Sequence, residues 1–99
     1  MEPKYAKAYI CRAYVNYDMK YYGEAMKDCI RLMKATPVLP DVYYVRALLY
    51  ISEGLMDLAI QDLKTCLTTE TDKTRIFPIA KVEACLKKYE TTTPEQQKV

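Results

Sequence analysis

Apolar residues recur at intervals of three and four along most of the chain, and prolines or polar runs divide that pattern into five stretches. Ala6, Tyr9, Ile10, Ala13, Tyr14 and Tyr17 predict a first amphipathic helix from about Pro3 to Asp18. Pro3 suits its first turn, where a missing amide proton has no helical partner to lose. After a short turn around Lys20–Tyr22, a second helix from about Gly23 to Ala35 turns Ala25, Met26, Cys29, Ile30, Leu32 and Met33 inward, and Pro37 and Pro40 stop it. Asp41 is placed as the N-cap of a third helix, Val42 to Ser52. Gly54 is the left-handed turn residue after it, and Asp57 the cap of a fourth helix running to about Thr68. The polar run TTETDKT follows. Pro78 then opens a fifth helix, with Ile79, Val82, Leu86 and Tyr89 at helical spacing, that ends near Glu90, and residues 91–99 read as a loose tail.

The first two helical stretches return as the third and fourth. Tyr9, Arg12, Ala13, Ala25 and Asp28 fall on Tyr43, Arg46, Ala47, Ala59 and Asp62, every pair separated by the same interval as Tyr9 and Tyr43. A fixed interval of about 34 residues, with bulky, small and charged residues each returning to their own slots, marks a stacked repeat. Helices joined by such short turns must run antiparallel. The expected fold is therefore all-α: antiparallel helical hairpins stacked as a short right-handed solenoid of about five helices, occupying residues 1–90 as one domain. Small Ala47 and Ala59 let two helices of a hairpin approach closely. Arg12 precedes Asp28 by the same interval as Arg46 precedes Asp62, which predicts two equivalent Arg–Asp bridges across the hairpins.

Composition narrows the function classes. With 51% hydrophobic residues and only 2 Gly, a loop-rich chain is not expected. Residues 1–39 carry seven Lys/Arg against four Asp/Glu, residues 40–72 two against six, and residues 73–99 six against three, so an acidic middle lies between basic ends. No secretory leader or membrane span is expected from the opening MEPKYAKAY or from any apolar window. Cys11, Cys29, Cys66 and Cys85 lie singly and read as small core hydrophobes in a reducing, cytoplasmic setting, with a Cys29–Cys66 disulfide left open. The cysteines show no CxxC or other zinc-ligand spacing, the chain has no His and so no Ser/Cys–His nucleophile pair, and no phosphate-binding glycine loop occurs. Neither an enzyme nor a cofactor or metal is expected.

The periodic residues resemble the tetratricopeptide repeat family. Its unit of about 34 residues calls for an aromatic at position four, a small residue at eight, an aromatic at eleven, alanine at twenty and proline near thirty-two. Residues 6–39 supply Tyr9, Ala13, Ala25 and Pro37, with Asn16 in the second aromatic slot. Residues 40–73 supply Tyr43, Ala47, Tyr50 and Ala59, with Thr71 in the proline slot. The resemblance implies two complete repeats and, over about 75–90, a solubilising helix with Lys81, Glu83, Lys87 and Lys88 on its outer face.

It also implies a concave groove lined by the first helix of each hairpin. Carried over position by position, the partner-binding residues are Ile10, Tyr14, Tyr17, Tyr44, Leu48 and Ile51, with Lys7, Asp18 and Asp41 at the edge. Tyrosine offers large rigid contact area with a polar tip, so Tyr14, Tyr17 and Tyr44 lead as anchors. The implied function is a protein-interaction scaffold or adaptor that binds a peptide or helical segment of another protein, or of a second copy. The alternative is a structural segment of a larger or self-associating solenoid, with the groove buried against neighbouring repeats. Family members that clamp the C-terminal carboxylate of heat-shock proteins use Lys, Asn and Arg at the positions of Ile10, Tyr14, Val45, Arg75 and Ile79, of which only Arg75 fits, so such a clamp is not expected. Nor is nucleic acid, because Asp18 and Asp41 put the wrong sign of charge beside Lys7 for phosphate.

Overall fold

A computed structural model describes residues 3–34, 39–68 and 76–90. All its regular elements are helices: α1 (Pro3–Asp18), α2 (Tyr22–Met33), α3 (Pro40–Ser52), α4 (Met56–Thr68) and α5 (Ile79–Glu90). Helices α1 and α2 form one hairpin and α3 and α4 a second; α3 packs on both helices of the first, and α5 packs on α4. This is a short helical solenoid. Ala35, Pro37, Thr71, Arg75 and the expected tail at 91–99 lie outside the described residues.

The two hairpins close in the same way. Ala13 and Ala25 in the first and Ala47 and Ala59 in the second are fully buried. A methyl group at each crossing lets the backbones come close enough for flanking side chains to interlock. Above each crossing lies a two-pronged ion pair. Arg12 donates from Nε to Asp28 at 3.0 Å and from Nη2 at 2.6 Å, and Arg46 donates to Asp62 at 2.7 and 2.8 Å. Hydrogen bonding to the aspartate, with the attraction of its charge, raises both guanidinium pKa values. The guanidiniums also sit over tyrosine rings, Arg12 at 4.7 Å from the centre of Tyr9 and Arg46 at 5.5 Å from that of Tyr50.

The interhelical turns are equivalent as well. In the second hairpin Gly54 takes a left-handed conformation (φ 80°), the Leu55 amide bonds the Tyr50 carbonyl at 2.9 Å, and the Gly54 amide bonds Ile51 at 3.0 Å. These are the paired bonds that close a helix end around a left-handed residue. In the first hairpin Tyr21 bonds Asn16 at 2.7 Å and Lys20 bonds Tyr17 at 2.9 Å, with Lys20 itself left-handed (φ 69°). A lysine therefore stands where the matching turn has glycine.

Four expectations are corrected. Pro40, with its fixed φ and missing amide, is the first residue of α3, so the cap position falls to the extended Leu39 and Asp41 is the second helical residue. Asp57 likewise lies in the first turn of α4, beginning at Met56 immediately after the turn residue Leu55. Ile30 is 50% exposed, because the inward stripe of α2 runs through Ala25, Asp28, Cys29 and Leu32, with the paired Asp28 in the place an apolar residue would take. Cys11 is exposed; Cys29 and Cys66 are buried in the core, Cys85 is half-buried, and none of the four is in a disulfide. Burial raises the Cys29 thiol to about 12, which keeps it protonated.

The lysine in the first turn makes a quantitative expectation. A left-handed conformation costs an L-residue about 1 kcal/mol, part of which a glycine returns through its freer unfolded chain. Lys20→Gly is expected to raise urea stability by about 0.5 kcal/mol, and Gly54→Ala to lower it by about 1 kcal/mol. A Cβ at Gly54 would meet no atom within 4 Å, so the second change reports backbone conformation alone.

Candidate partner-binding face

The first helices of the two hairpins, α1 and α3, carry the aromatic and aliphatic residues of the candidate groove. Their placement is graded. Ile10 (0% exposed) and Tyr44 (3%) belong to the core, whereas Tyr14, Tyr17, Leu48 and Ile51 are half-buried and pack against it. Lys7 is half-buried and Asp18 exposed. Asp41 is not at an edge: it is fully buried.

A buried carboxylate needs partners, and those of Asp41 come from far along the chain. Its Oδ2 accepts the backbone N–H of Ile76 at 2.7 Å, and its Oδ1 accepts that of Phe77 at 3.1 Å. The two bonds draw the segment before α5 across the first turn of α3. Phe77 then inserts its ring between the hairpins, 4.8 Å from the ring centre of Tyr44 and 5.0 Å from that of Tyr14, and is itself only 8% exposed. From Tyr14 the ring contacts continue to Tyr17 at 6.1 Å and from Tyr17 to Tyr22 at 5.9 Å. The ring planes are tilted by 35° to 51°, and their centre separations fall within the contact range of aromatic pairs. Lys81 Nζ lies 5.7 Å from the ring centre of Tyr14 and 5.8 Å from that of Phe77, placing a cation beside the aromatic row. One end of the face is thus filled by the chain's own Phe77.

Phe77 was missed as a member of this face, although a signal for it exists. It stands one repeat interval after Tyr43, as Tyr43 stands one after Tyr9, and Pro78 falls in the slot of Tyr44. The proline explains why the third occurrence behaves differently. A helix rarely runs through the residue before a proline, so α5 begins only at Ile79, with the Pro78 carbonyl accepting the amides of Lys81 and Val82. The non-helical Ile76 and Phe77 amides remain free to bind Asp41.

No candidate metal cluster of three or more His, Cys, Asp or Glu occurs among the described residues, and no described helix is long and apolar enough to cross a membrane. The family model for the tetratricopeptide repeat matches residues 40–72, the segment that contains α3 and α4. The chain carries a tetratricopeptide repeat. This repeat suggests a protein-interaction role, and the family's modules are typically not enzymes. No curated protein and no solved structure matches the chain.

Two measurements probe this face. Asp41→Asn leaves at least one buried amide without its acceptor and is expected to cost about 2 kcal/mol in urea unfolding, against less than about 0.5 kcal/mol for the exposed Asp18→Asn. The second is alkaline stability. Burial raises the Tyr44 hydroxyl from 10 to about 12, so the folded state holds the neutral phenol after the unfolded chain has ionised it. That contribution is intact below pH 10 and lost as pH rises from 10 to about 12, and Tyr44→Phe should flatten the fall across this window.

Proposed function

We propose that this chain is a protein-interaction scaffold of two consecutive tetratricopeptide repeats, the first hairpin being the second's equal, with α5 as the terminal cap. Support for the first unit lies in its Arg–Asp fork and its left-handed turn, each one repeat interval before its counterpart in the second hairpin. The scaffold binds an extended or helical segment of another protein on the face formed by α1 and α3. The contact is made by Tyr17, Leu48 and Ile51, with Tyr14 and Lys81 at the boundary of the region that Phe77 fills. Ile10 and Tyr44 support these residues from the core and Asp41 holds the Phe77 segment, so none of the three reaches a partner.

The observation that carries this reading is the gradient of exposure along α3. Tyr44 is buried under Phe77, whereas Leu48 and Ile51, further along the same stripe, are half-exposed apolar residues. Apolar side chains left in water on the inner helices of a repeat array favour a partner that removes them from it.

The test is selection of binding peptides from a displayed library against the whole chain, followed by amide chemical-shift mapping with the best binder. Shifts centred on Tyr17, Leu48 and Ile51, and at least about tenfold weaker binding by Leu48→Asp with unchanged helical circular dichroism, are expected for loss of one buried apolar anchor. Shifts confined to α2 and α4 would overturn the assignment.

A further inference from the structure

A second surface is independent of the concave face. Helix α5 buries Val82 completely, while Ala80, Glu83, Ala84 and Lys87 lie together on its opposite, exposed side. With Leu67 of α4 and Leu86 beside it, this side forms a groove of about 520 Å³. The end of a helical array is ordinarily closed by a polar outer face. Here the face has alanines between its charges and leucines at its flank, and those charges are unused: neither Glu83 nor Lys87 forms an ion pair with another described residue, whereas Glu90 at the helix end is held by Lys64 at 3.4 Å.

We propose that the outer face of α5 is an interface between two copies of this chain, related by a two-fold axis that passes near Cys85. The charge pattern selects this occupant. Residues 83 and 87 are one helical turn apart on one face and carry opposite signs. In an antiparallel pairing centred on residue 85, Glu83 of each copy lies opposite Lys87 of the other, so two ion pairs form at once; a parallel pairing would set like charges against each other. The same two-fold brings Ala84 opposite Leu86, a small residue against a large one, which lets the helices approach. One pair of 12-residue helices makes an interface at the small end of the range for protein contacts, so association is weak and concentration-dependent.

Sedimentation equilibrium of the full chain from micromolar to millimolar concentration reads the proposal directly. A monomer–dimer equilibrium is expected, and Ala84→Arg, which fills the groove, should abolish it. Each reversal alone, Glu83→Lys or Lys87→Glu, sets two like-charge pairs across the axis and should weaken the dimer roughly fivefold, while the double reversal Glu83→Lys/Lys87→Glu should recover most of the loss. Circular dichroism of each variant separates loss of pairing from loss of the helix. A monomer at every concentration would overturn the proposal, as would a double reversal that dimerises no better than the single ones.

Discussion

Three aspartates are buried among the described residues, and a buried carboxylate must be met by donors or it opposes folding by several kcal/mol. Asp28 and Asp62 are each met by an arginine from the facing helix of the same hairpin. Asp41 is met by two backbone amides from the segment just before α5. The first two fix how each hairpin closes, because a planar guanidinium donates two parallel bonds to a carboxylate in one relative orientation. The third fixes where the segment after the second hairpin must run. Together they set the helix crossings and the segment that packs against α1 and α3.

The Asp41 bonds decide how much of the α1–α3 face is interior. By holding Ile76 and Phe77 against α3, they make Tyr44 and Phe77 part of the core and leave Leu48 and Ile51 half-buried. The chain thus supplies one aromatic contact to its own α1–α3 face, while Tyr17, Leu48 and Ile51 beyond it stay half-buried. Lys81 and Phe77 tie α5 and the segment before it to Tyr14 of α1, so α5 is coupled to α1 through aromatic contacts as well as through the stack.

Much of the architecture was legible because its causes are local or periodic. Gly54 announced its turn because only glycine adopts a left-handed conformation without cost. Lys20 gave no such signal, since nothing in a lysine marks positive φ, and the equivalence of the two turns emerges only from their backbone bonds. Asp41 read as a cap because aspartate before a helical stretch most often is one. Pro40 displaced it by taking the first helical position itself. Ile30 read as inward because it is apolar, yet the stripe of α2 is set by Ala25, Asp28 and Cys29, whose places depend on the facing helix.

The sequence by itself determined five helical segments, one constant repeat interval, small residues at the hairpin crossings and the Arg–Asp partners, because each is written in spacing that a helix converts directly into a face. Only the tertiary structure decided that Asp41 is interior, that Phe77 fills the space between Tyr14 and Tyr44, and which groove residues remain near water. The physical reason is that these depend on where a non-helical segment crosses the stack. Its path is set by a contact between Asp41 and Phe77, a separation at which periodicity within a helix carries no information.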